Sequence, residues 1–171
     1  MESAVALHAP EGEKYDSSDT KKWPVNHHTI PGGFTPSDML AGMFLMSSLS
    51  LNSSDYGKRV LSIGLGGGSV DMVLSSVKPE VDVTVVEIDP LVVSIASKWF
   101  GVADSNHHHT VIRNGITFIE EAAARGMKYA AVVLDACGND EFKCPVKVFR
   151  TAYAVKMLRK ILMETGCVRN E

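Results

Sequence analysis

Along most of this chain, short β-branched apolar runs alternate with stretches whose apolar residues recur at helical spacing. Arg59-Val60-Leu61-Ser62-Ile63 reads as a strand, and residues 69–78 as a helix with Val70, Val73, Leu74 and Val77 at i, i+3, i+4 and i+7. Residues 81–88 form a second strand. Asp89-Pro90 caps and opens the next helix, which carries Val92, Ile95, Ala96 and Trp99 on one face. Residues 110–113 are a third, short strand, 116–125 a helix that stops at Gly126, 129–134 a fourth strand, and 147–165 a last helix ending at Gly166. Upstream, Thr35 as N-cap, Pro36 at the first helical position and Asp38 near the positive end open a helix with Met39, Leu40, Met43, Phe44 and Met46. A polar turn follows at residues 52–57.

Strands alternating with helices of this length predict a parallel sheet covered on both faces, because each crossover helix must pack back onto the sheet. The fold class is therefore Rossmann-like α/β, mostly parallel. With 171 residues, 45% of them hydrophobic, the chain supports one core. Residues 1–26 are polar and lack periodicity, which predicts a poorly ordered tail before a single domain over 27–171.

Composition narrows the function classes. A net charge of −3, from 17 basic and 20 acidic residues, gives no general attraction to nucleic acid or an anionic membrane. Lys156, Arg159 and Lys160 read as a solvated helix face. The apolar stretch 39–51 is interrupted by Ser47, Ser48 and Ser50 and is too short for a bilayer, and residues 1–20 lack the run a signal peptide needs. Three cysteines, Cys137, Cys144 and Cys167, show neither a disulfide framework nor zinc-ligand spacing. A reducing, cytoplasmic setting is expected.

The sharpest chemical signal is Ile63-Gly64-Leu65-Gly66-Gly67-Gly68-Ser69 between a strand and a helix. Glycines let the backbone turn tightly and approach a ligand, while the helix start beyond presents unpaired amides. Some twenty residues on, Val86-Glu87-Ile88-Asp89 ends the next strand, where the Glu87 carboxylate can accept hydrogen bonds from ribose hydroxyls. Asp89 is explained as a helix cap. A dinucleotide fingerprint wants glycine at the sixth position, which here is Ser69; S-adenosylmethionine has no pyrophosphate and does not require it. This favours S-adenosylmethionine and leaves NAD as an alternative. His107-His108-His109 cannot all face one ion and read as a solvated loop, so no metal site is expected. Cys137 and Cys144 read as ordinary thiols.

Residues 60–69, Val86-Glu87-Ile88-Asp89-Pro90 and Lys98-Trp99-Phe100-Gly101 resemble the class I methyltransferases of the spermidine-synthase-like group. The chain is most similar there to the C-terminal domain of the methyltransferase-like-thirteen proteins, which methylate translation elongation factor one-alpha; the similarity covers residues 26–166. The resemblance implies that Gly64, Gly66 and Gly68 line the methionine portion, Glu87 binds the ribose and Ile88 packs on the adenine. Asn114-Gly115 stands where the family usually has Asp-Gly beside the adenine amine, and the amide carbonyl can still accept that bond, without charge. Asp135, ending the fourth strand, matches an acid facing the substrate. The 39–44 helix could form a lid, though such a stripe is more often core. Aminopropyl transfer to a polyamine is disfavoured: that group resembles itself in an acid within the glycine loop and a pair of acids after strand four, where this chain has Ser69 and Asp135-Ala136-Cys137-Gly138.

The expected activity is methyl transfer to a protein amine, a lysine or an N-terminus, with a translation elongation factor as the implied partner. The resemblance also implies a sheet cut short after strand four or five, with residues 129–134 as an exposed apolar edge open to oligomerisation. The competing expectation is a non-catalytic cofactor-binding or interaction domain.

Overall fold

The computed structural model of the chain describes residues 4–9, 20–30, 34–138 and 144–164. Its centre is a four-stranded sheet in the order β5-β4-β3-β6: β3 Arg59–Ile63, β4 Asp82–Glu87, β5 His108–Ile112 and β6 Ala131–Leu134. All three pairings are parallel, with Ile63 opposite Val86 on one side and Leu134 on the other. The helices between them are α2 Ser69–Val77, α3 Pro90–Phe100 and α4 Gly115–Ala124, with α1 Phe34–Leu45 before the sheet and α5 Ala152–Ile161 after it.

Period-two alternation divides the strand side chains between two cores. Val60, Val83, Val85, Ala131 and Val133 join Val70, Leu74 and Ala96 of α2 and α3, together with Met43 of α1. Leu61, Ile63 and Val86 join Ile119, Ala122, Tyr129, Phe149 and Ile161 on the opposite face. The helix carrying Met39, Leu40, Met43 and Phe44 belongs to the first core, so it is a core helix and not a lid.

From β3 the chain steps outward through β4 to β5, then returns across the sheet to place β6 on the other side of β3. The reversal opens a crevice at the carboxyl ends of β3 and β6, the usual ligand position in an open α/β sheet.

Three local expectations are corrected. Within residues 1–26, Ala6–Leu7 (β1) and Val25–Asn26 (β2) form an antiparallel ribbon, and Ser69 Oγ donates to Ala4 O at 3.1 Å, so this stretch is partly built into the domain. The third strand starts earlier than expected: His108 and His109 lie inside β5, with His108 buried against Asp71 (2.8 Å) and His107 paired with Asp82 (2.6 Å). The Asp71 carboxylate lets the His108 imidazole lie buried in a strand that composition alone reads as loop. The last helix divides into a 3₁₀ turn, Lys147–Arg150, and α5, which Thr151 caps by accepting from Ala154 N. β6 remains an edge strand of the sheet, with Ala131 and Val133 buried, and just before it Tyr129 N donates to Ile161 O while Met163 N donates to Tyr129 O. No helix among the described residues is long and apolar enough to cross a membrane.

Candidate functional site

The carboxyl ends of β3, β4, β5 and β6 surround a cavity of about 490 Å³, a volume in the ordinary range for a small-molecule site. Gly64, Gly66, Glu87, Ile88, Asn114, Gly115 and Asp135 all line it, so one surface gathers seven of the eight residues singled out in the sequence. Gly68 is not part of that lining.

The glycines have distinct reasons. Gly64 has φ 98°, and a Cβ there would stand 2.5 Å from the Asp135 carbonyl oxygen, so only glycine lets the β3 and β6 ends come together. Gly68, at φ 70°, caps α2 and faces Val102, whose Cγ2 a Cβ would meet at 2.4 Å. Its requirement is the left-handed φ together with packing against Val102. The backbone bonds Gly64 N to Val86 O, and Asp135 N to Ile63 O, fix both loop ends to their neighbours.

Glu87 is 8% exposed, and three backbone N–H groups donate to its carboxylate: Leu65 to Oε2 at 3.0 Å, and Ile88 and Asp89 to Oε1 at 2.8 and 2.9 Å. Of roughly four acceptor positions on a carboxylate, one remains, on Oε2. One hydroxyl of a diol can therefore bond directly, and a second must displace an amide. Beside Glu87, Ile88 is 65% exposed, an apolar surface suited to the face of a planar ring. Asp89 caps α3 by accepting from Leu91 N.

Asn114 caps the next helix. Its Oδ1 accepts from Ile116 N at 2.9 Å and Thr117 N at 3.3 Å as the cap of α4, so the carbonyl is occupied. Its NH₂ has no hydrogen-bond partner among the described residues. At Gly115 a Cβ would come 2.7 Å from Ile63 Cγ2 and 3.0 Å from Phe149 Cζ, which explains the glycine by helix-to-sheet packing.

Asp135 ends β6 on the opposite flank. Burial pushes its carboxyl above the ordinary carboxylate range, and the Asp71 carboxylate adds to the effect. Cys137 Sγ lies 3.7 Å from Asp135 Oδ1 and is joined to Cys144 by a disulfide, which corrects the reading of both as free thiols. Asp135, Cys137 and Cys144 bring their ligand atoms within 4.8 Å of one another, but the disulfide removes the thiolates that a soft cation needs.

Sequence reasoning missed the wall formed by Val146, Val148 and Phe149, because it placed them in or beside a continuous helix. It also missed the Asp71–His108 pair, whose signal was a carboxylate one residue after Val70 on the buried side of α2.

The spermine/spermidine synthase domain family matches residues 37–169. The chain is 28% identical over 131 residues to a Drosophila melanogaster protein named eEF1A lysine and N-terminal methyltransferase homolog, covering 75% of this chain and 20% of that protein. It is 37% identical over 108 residues to a polyamine aminopropyltransferase of Vibrio vulnificus, covering 63% of this chain and 33% of that protein. The chain thus spans a third or less of the length of these relatives. Among solved structures, human methyltransferase-like protein 13 in complex with SAH aligns with a TM-score of 0.66 at 25% identity, over 77% of this chain and 61% of that one.

Proposed function

This chain belongs to the spermine/spermidine synthase domain family, and we propose that it is an S-adenosylmethionine-dependent methyltransferase acting on a protein amine, a lysine side chain or an N-terminus. The main support is the meeting of Gly64, Glu87, Ile88 and Asp135 on one cavity at the carboxyl ends of the strands. The SAH bound by human methyltransferase-like protein 13 and the names of the matched methyltransferases support the same ligand and acceptor class. A translation factor of the elongation-factor type is the substrate those names suggest, and its work would lie in the cytoplasm.

The residues fit the cofactor at three points. Glu87 holds a ribose hydroxyl on its remaining Oε2 position, Ile88 covers one face of the base, and the close Gly64 backbone admits the methionine portion beside Asp135. Bound S-adenosylmethionine supplies a methyl group on a sulfonium. Because transfer is an in-line displacement in which the acceptor's N–C bond forms as the S–C bond breaks and S-adenosylhomocysteine leaves, this chain would contribute alignment and help the acceptor amine become uncharged. A lysine amine has a free pKa of about 10.4 and must lose a proton before it attacks. Asp135 is the group placed to orient that amine and help remove the proton, and its upward-shifted carboxyl makes it a stronger base than an exposed carboxylate.

Calorimetry with S-adenosylmethionine, S-adenosylhomocysteine and NAD tests this reading. Binding of both adenosylated ligands at roughly micromolar Kd, about −8 kcal/mol, is expected. Failure of both to bind would leave a non-catalytic domain, and preference for NAD would indicate an oxidoreductase. The Vibrio vulnificus relative favours a second reading, aminopropyl transfer to a polyamine. Against it, the glycine loop carries Ser69 and no acid, and Asp135 is followed by Ala136, Cys137 and Gly138. Product analysis with a polyamine and with a lysine-containing protein acceptor separates the two.

A further inference from the structure

We propose that Asn114 sets nucleobase discrimination in this site by donating a hydrogen bond, so that the pocket tolerates a purine with an oxygen at position 6 in place of the adenine amine. The proposal rests on the adenosyl-ligand reading above. Strand order locates the base: Gly64 and Asp135 flank the β3–β6 end of the cavity, Glu87 ends β4, and Asn114 follows β5. A ligand whose ribose is anchored at Glu87 and whose sulfur end lies by Asp135 has its base on the β5 side. There Ile88 offers an exposed apolar face, and Asn114 stands at the ring's edge.

The orientation of the Asn114 amide follows from its neighbours. Ile116 N and Thr117 N open α4 and can be satisfied only by an oxygen, and Oδ1 accepts from both. Reversing the amide would set NH₂ against two N–H donors. Nδ2 is consequently turned away from the helix, with no hydrogen-bond partner among the described residues.

An NH₂ at the base edge cannot accept from the adenine amine, which is itself a donor. It can donate to a ring nitrogen, or to a carbonyl oxygen at position 6. Asparagine and aspartate cap helices about equally well, so Asn114→Asp keeps α4 intact while exchanging the donor for a charged acceptor. The variant is therefore a clean test of polarity.

The test is calorimetry of S-adenosylhomocysteine and S-inosylhomocysteine, the latter carrying oxygen at position 6, with the wild-type chain and with Asn114→Asp. The wild type is expected to bind the two within about threefold of each other. In Asn114→Asp the preference should move toward the adenine form by about tenfold or more, the scale of one charge-assisted hydrogen bond. Unchanged thermal midpoints would show that the cap survives. A wild type that prefers S-adenosylhomocysteine by tenfold, with the ratio unmoved in Asn114→Asp, overturns the role of Asn114 while leaving the adenosyl site intact. If neither ligand binds the wild type, the underlying reading fails and the proposal fails with it.

Discussion

The Leu65 backbone N–H donates to Glu87 Oε2 at 3.0 Å, tying the glycine loop to the tip of the adjacent strand across 22 residues of sequence. Because Glu87 also accepts from Ile88 and Asp89, removing its carboxylate leaves three amides unsatisfied near the cavity floor. Glu87→Ala should cost about 1–3 kcal/mol or more in denaturant unfolding and weaken S-adenosylhomocysteine roughly tenfold to a hundredfold. Undiminished affinity by calorimetry would remove Glu87 from the ligand.

Asp135→Asn is expected to abolish methyl transfer while S-adenosylhomocysteine binds within about twofold of wild type. Since burial and Asp71 raise the Asp135 pKa, loss of kcat/KM on acidification should begin above the ordinary carboxylate range. The stability sign runs the other way. The unfolded chain releases this proton first, so raising the pH between the ordinary and shifted values costs stability, and Asp135→Asn should abolish that loss. Unaltered turnover in the variant would refute the assignment.

Gly64→Ala combines an unfavourable positive φ with a Cβ 2.5 Å from the Asp135 carbonyl. A loss of about 2–5 kcal/mol in urea unfolding follows from left-handed strain and overpacking together. Gly57→Ala, at φ 80° but with nothing within 4 Å, supplies the comparison and should lose only about 1–2 kcal/mol. Equal losses would argue against the close approach of β3 and β6.

Asp55 is buried beneath Lys58 and Lys78, with ion-pair distances of 2.8 Å to each. Burial pushes its carboxyl up, but hydrogen bonds from Lys58, Lys78 and Ser50 N together outweigh burial and hold it at about 2. A lowered folded-state pKa means stability present above the unfolded value of about 3.9 and lost as pH falls toward 2. The contribution is about 2 kcal/mol, and urea unfolding between pH 2 and 6 should show it shrink in wild type but not in Asp55→Asn.

The Cys137–Cys144 disulfide closes a loop with a sequence separation of 7 beside Asp135. Chain-entropy estimates give a closure this short about 2–3 kcal/mol. Reduction with a dithiol should lower the thermal midpoint, and Cys144→Ser should lower it similarly and become insensitive to reductant. A wild-type midpoint independent of reductant would count against the bridge.

The sequence by itself determined the four strands of the main sheet, apart from the start of the third, together with the crossover helices, the glycine loop, and the positions of Glu87 and of the acid ending the fourth strand. Each is a local pattern: period two, period 3.6, a turn that requires glycine, or a polar residue at a strand end. It also determined the Asp89 cap, since a cap bonds within two or three residues of itself. Tertiary structure decided the rest, because those features join residues far apart in the chain. The β6 strand beside β3 brings Asp135 within reach of Gly64, and the buried Asp71 makes His108 a strand residue. The same holds for the Cys137–Cys144 bridge and for Ala6–Leu7 on Val25–Asn26. Asn114 lies between the two cases. Its departure from the aspartate of the resembling family was legible, but which end of its amide is engaged by α4 was decided only when Ile116 N and Thr117 N claimed the oxygen.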